Sequence, residues 1–98
     1  MNAAVDEIDW IEADGEYVSV HVGAKSWSMP ETIAAAEARL ALSGFVRIQR
    51  STLVNIARVR ELPTLPNGEV TVVLLDGTEL QVGRNYRFAL EHLLGKNL

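Results

Sequence analysis

Hydrophobic and polar positions change rhythm several times along the 98 residues. EIDWIEA (7–13) reads as a strand, and Asp14-Gly15 behind it is a hairpin turn, because both residues tolerate positive φ. In EYVSVHV (16–22), Val18, Val20 and Val22 alternate with Tyr17, Ser19 and His21, the period of a half-buried strand. That places His21 on the wet face. Gly23 to Lys25 turn the chain, and SWSM (26–29) is a short third strand. Pro30 then fits the first turn of a helix, where its missing N–H costs nothing. Ile33, Ala36 and Leu40 follow at helical spacing behind the early acid Glu31, and Gly44 supplies a left-handed stop.

FVRIQR (45–50) alternates again, with Val46 and Ile48 facing one way and Arg47 and Gln49 the other. Ser51-Thr52 interrupts it. The next run, LVNIARVREL, slips phase between Ile56 and Val59, which predicts a turn or a single helical turn near residues 55–58. Pro63, Pro66 and Asn67-Gly68 mark a loop. EVTVVLL (69–75), Asp76-Gly77 and TELQVG (78–83) form a hairpin. NYRFALEHLL (85–94) is helical, with Asn85 as its N-cap, Tyr86, Leu90 and Leu93 or Leu94 on one face, and Gly95 at its end. The order is three strands, helix, broken strand, hairpin, helix. The fold class is therefore mostly β with short helices, one mid-chain and one at the C-terminus. No βαβ series or GxGxxG loop is present, which excludes a Rossmann domain.

Composition narrows the function. A chain this long makes one domain and can bury a core without staples. It has no cysteine, so thiol chemistry, disulfides and cysteine-based zinc sites are out. No apolar run is long enough to span a membrane, and the acidic MNAAVDEID start lacks the order of a signal peptide, so a cytoplasmic location is expected. His21 and His92 belong to no GxSxG or HExxH motif. The carboxylates of 6–16 read as a solvated face and turn. No enzymatic activity, cofactor or metal is expected, and a small hydrolase would need a convergence of titratable groups that the sequence does not offer.

Charge is unevenly placed. The net charge of −4 argues against nonspecific nucleic-acid binding. Yet residues 1–16 hold six acids and no base, leaving seven acids against nine bases in the remainder. Residues 45–60 hold Arg47, Arg50, Arg58 and Arg60 and no acid. Arg47, Arg58 and Arg60 read as exposed partners of buried aliphatics. Arg50 stands where the alternation fails, beside two hydroxyls, well placed to reach a partner. Arg84 lies between a strand end and a helix start, where unpaired N–H groups attract anions. There it can join the amides near Tyr86 and Arg87 on a phosphate, or grip a base edge.

Three segments, EIDWIEADGEYVSVHV, GFVRIQRSTLVNIARVREL and VVLLDGTELQVGRNYRFALEHLL, resemble the LytTR DNA-binding domain in order and with matching gaps, over residues 5–95. The resemblance implies small stacked antiparallel sheets with short helices. It also implies sequence-specific binding of double-stranded DNA by loops inserted into successive grooves, as a homodimer on repeated half-sites. The chain would then be the output module of a bacterial response regulator in a two-component system, with a receiver or sensory domain upstream and no membrane contact by this segment. By position, the contacting residues fall near Tyr17 or Val18 after the first hairpin, on Arg50 and on Arg84. Gln49, Ser51 and Asn85 would support them, and Arg47 and Arg87 would position the domain on phosphate. The role of Tyr17 rests on the resemblance alone.

The chain departs from the family at Gln49 (commonly His), Gly83 (commonly Ser) and Pro30 (often basic), and the strand that family members tend to carry upstream of Val5 is expected to be missing. Gly83 is expected to loosen its loop. These departures and the acidic balance motivate one alternative, a LytTR-like fold used for protein interaction or ligand sensing without DNA.

Overall fold

The computed structural model describes residues 4–95 and Leu98. Among the described residues, eight strands and two α-helices follow the predicted order. They are β1 (Trp10–Asp14), β2 (Tyr17–Val22), β3 (Lys25–Met29), α1 (Ile33–Leu40), β4 (Phe45–Gln49), β5 (Thr52–Asn55), β6 (Val59–Glu61), β7 (Thr71–Leu74), β8 (Glu79–Gln81) and α2 (Arg87–Leu94). Two antiparallel sheets result, one ordered β3-β2-β1-β5-β4 and one ordered β6-β7-β8.

The β4–β5 pair is covered on both faces. On one side α1 closes a core of Ile11, Val18, Val20, Ala36, Leu40, Phe45 and Leu53. On the other, α2 and the second sheet close a core of Val46, Ile48, Val54, Val72, Leu74 and Leu90. Every residue of β5 and of β7 is consequently buried. The phase slip has the predicted cause. Ile56–Arg58 form one 3-10 turn, opened by the Asn55 side chain, which accepts from the Ala57 amide at 3.1 Å.

Several expectations need correction. Residues Val5–Glu7 form a 3-10 turn, so β1 begins at Trp10 and not at residue 7. Pro30 lies outside α1. The Thr32 hydroxyl accepts from the Ala35 amide at 3.1 Å and is the N-cap, so hydroxyl capping and not proline sets the helix start. Asn85 does not cap α2. It sits inside a 3-10 turn, Arg84–Tyr86, and the helix starts from Tyr86 without a side-chain cap. Leu90 is buried and Leu94 half-buried, while Leu93 faces outward. His21 is not on a simple wet face. It stands opposite Trp10 across the strands, and the two rings stack at 3.9 Å and 4° while its Nε2 lies 3.0 Å from Glu12.

Candidate nucleic-acid interface

Three turns meet along one edge of the molecule. The β1–β2 hairpin turns at Asp14 to Tyr17, its Gly15 at φ 63°. Glu12 stands opposite Thr52, and the Ala13 amide donates to the Ser51 carbonyl at 2.8 Å, so the β4–β5 turn at Arg50-Ser51 adjoins that hairpin. On its far side the Gly83 amide donates to the Ile48 carbonyl at 2.6 Å, which brings the Arg84–Tyr86 turn alongside. Tyr17, Arg50, Ser51, Arg84 and Asn85 are all exposed on this edge, Tyr17 at 50%.

Ion pairing divides the seven arginines into two groups. Arg39–Glu31, Arg47–Glu37, Arg58–Asp9, Arg60–Glu61 and Arg87–Glu91 lie 2.8–3.8 Å apart. Among the described residues, Arg50 and Arg84 alone of the arginines have no carboxylate partner. A guanidinium with five donors and no internal acceptor is available to a ligand, whereas a paired one must first break its bonds.

The other predicted site residues are placed differently. Arg47 is half-buried and holds Glu37 at 3.1 Å and the Arg50 carbonyl, so it braces the turn that carries Arg50. Arg87 donates to Glu91 and to the Gly68 carbonyl, each at 3.0 Å, and to the Leu98 carbonyl. Its guanidinium is thus committed within the fold. Gln49 turns to the second sheet and donates to the Gln81 carbonyl at 2.6 Å. The expected phosphate nest at the start of α2 is also altered, because the Tyr86 amide donates to the Gly83 carbonyl at 2.9 Å. Gly83 tightens its loop, contrary to expectation: a Cβ there would lie 3.2 Å from the Tyr86 ring and 3.4 Å from the Ile48 carbonyl oxygen.

Two residues escaped the sequence reading. Arg58, read as surface, contacts the buried Asp9 at 3.4 Å and donates to the Glu7 carbonyl at 3.4 Å. Asn55 is buried and donates to the Ile8 carbonyl at 2.8 Å, tying the N-terminal segment to β5. No local signal marks these contacts, since Ile8, Asp9 and Glu7 lie more than forty positions away.

The edge is not uniformly cationic. Exposed Asp14 and Glu16 sit at the hairpin tip, so their charges offset Arg50 and Arg84 along the three turns. Among the described residues, no group of three or more His, Cys, Asp or Glu side chains could hold a metal ion. No described helix is long and apolar enough to cross a membrane.

The described residues form a two-sheet domain that presents Arg50 and Arg84 from adjoining turns. The chain belongs to the LytTR family: the model for the LytTr DNA-binding domain matches residues 1–95. Its backbone is similar to the LytTr DNA-binding domain of a Bacillus cereus protein assigned as a methyl-accepting/DNA response regulator, with a TM-score of 0.86 at 18% identity, covering 95% of this chain and 85% of that one. It is 32% identical over 92 residues to the sensory transduction protein LytT of Bacillus subtilis, covering 92% of this chain and 38% of that protein. The transcriptional regulatory protein LytR of Staphylococcus aureus is 29% identical over 68 residues, 69% of this chain and 28% of the relative. The chain therefore spans well under half the length of these curated relatives. The family membership makes this a LytTr DNA-binding domain, with a mostly β fold as predicted.

Proposed function

We propose that the domain binds double-stranded DNA sequence-specifically through the edge formed by residues 14–17, 50–51 and 83–85. Arg50 and Arg84 reach base edges or phosphates from adjoining turns, Tyr17 packs against the sugar–phosphate wall, and Ser51 and Asn85 supply shorter polar contacts. Arg47 acts from behind by holding the turn that carries Arg50, and Arg87 steadies α2 through Glu91 and Gly68. Binding is as a homodimer on repeated half-sites, within a longer cytoplasmic regulator that carries a receiver domain.

The observation that carries the reading is the partition of the arginines. The two without an internal carboxylate lie on adjacent turns of the same edge. The near-balance of charge on that edge favours readout by placed arginines over bulk attraction, since phosphate neutralisation alone carries no sequence information.

Selection of bound sequences from random duplex DNA at two salt concentrations tests the proposal. A repeated motif should emerge at both concentrations, with weaker retention at the higher one through counterion release. Retention without any motif, or no retention at either concentration, would contradict it.

A further inference from the structure

The register of β4 against β5 shifts between Arg47 and Gln49. Arg47 stands opposite Leu53 and Gln49 opposite Thr52, with Ile48 as the extra residue. A bulge of this kind re-aims the side chains around it. Here the consequences are two bonds to the other sheet. The Ile48 carbonyl accepts from the Gly83 amide at 2.6 Å, and the Gln49 side chain donates to the Gln81 carbonyl at 2.6 Å. Because the acceptor is a carbonyl, only the amide nitrogen of Gln49 can serve there.

The two bonds form a clasp beside both arginines: Gln49 immediately precedes Arg50, and Gly83 immediately precedes Arg84. The clasp also needs close approach. A Cβ at residue 83 would meet the Tyr86 ring at 3.2 Å, where the ring must give by a few tenths of an ångström, and would touch the Ile48 oxygen at 3.4 Å. Gln49 and Gly83 therefore work together: the glycine lets the two backbones meet, and the amide fixes their register.

We infer that Gln49 is a positioning residue, which sets the spacing between Arg50 and Arg84 by clasping Gln81 and does not itself contact DNA. A base-reading amide must be free to face a base edge. This one is spent inside the protein. The two arginine turns, which belong to different sheets, are thereby held as one reading unit, and misplacement of either would weaken both contacts.

The inference rests on the reading of Arg50 and Arg84 as the DNA-contacting pair, so its test has two arms. The first uses binding to the selected duplex. Gln49→Leu should weaken binding about five- to ten-fold, the scale of one net hydrogen bond. In the Arg50→Ala/Arg84→Ala background the same change should have no effect, because nothing remains to be positioned. An equal loss in both backgrounds would show that Gln49 makes its own DNA contact and would overturn the inference. The second arm needs no DNA. The Gly83 amide should exchange with solvent faster in Gln49→Leu, and also in Gln49→Glu, which lacks the donor, with amides of β1–β3 unchanged. Unchanged Gly83 protection in both variants would refute the clasp. If Arg50→Ala and Arg84→Ala each leave binding intact, the DNA reading is what fails, and Gly83 exchange decides the clasp by itself.

Discussion

Arg84→Ala separates a ligand-facing arginine from a structural one. The Arg84 side chain is exposed on a 3-10 turn and has no carboxylate partner among the described residues. Its truncation therefore removes no internal bond, and the fold should lose no more than about 0.5 kcal/mol, as at ordinary surface sites. The DNA side of the balance is larger. A bidentate contact to a base is worth roughly 1–3 kcal/mol of discrimination, or about 5- to 150-fold in affinity. If Arg84 grips a phosphate, the loss is shared by all sequences and the salt slope falls by about 0.9. The assay is titration of the selected duplex and a scrambled duplex at three salt concentrations, with a urea melt of the variant as control. The expected result is a selective loss on the selected duplex with an unchanged melt. Wild-type affinity in Arg84→Ala, or a loss that tracks unfolding, would refute the reasoning.

Other expected outcomes follow from the same contacts. Arg87→Ala should do the reverse of Arg84→Ala, because it strips the Glu91 and Gly68 bonds: roughly 1–3 kcal/mol of stability lost in a urea melt, with base preference among bound duplexes unchanged. Asn55→Ala leaves the buried Ile8 carbonyl without its partner and removes the cap on the exposed Ala57 amide, costing roughly 1–3 kcal/mol. Against a total of about 5–15 kcal/mol for a small domain, the urea midpoint should fall markedly. The hydrogen bond from Arg39 holds the Glu31 carboxyl below its ordinary 4.5. The folded value is depressed, so the stabilisation is fully present above the unfolded value and is lost as pH falls through the folded one. Glu31→Gln should therefore flatten the acid limb of the thermal-stability profile below about pH 4.5 and leave the neutral limb parallel to wild type.

Local chemistry was the legible part of this chain. Asp14-Gly15 and Asp76-Gly77 marked hairpins, Gly44 and Gly95 adopt the predicted left-handed conformation at helix ends, and the phase slip at Asn55 announced a real 3-10 turn. What failed depended on competition or on distance. Thr32 displaced Pro30 because a side-chain acceptor satisfies a free helix amide and proline only avoids wasting one. Asn85 looked like a cap until Gly83 and Tyr86 closed a tighter turn around it. The strand β5 hides its place between β1 and β4 because both its faces are buried, which erases alternation. Arg50 and Arg84 stood out in sequence. That Arg47 and Arg58 are committed within the fold did not, since their partners are set by tertiary contact, Asp9 to Arg58 across 49 positions.

The account stands most directly on where DNA touches the protein. Amide chemical shifts of the labelled domain, followed during titration with the selected duplex, locate that contact without any mutation. The largest changes should fall on Asp14 to Tyr17, Arg50-Ser51 and Gly83 to Asn85, the three turns that backbone bonds bring to one edge. Changes centred instead on α1, or on the β6 edge at Arg60 to Thr64, would contradict it.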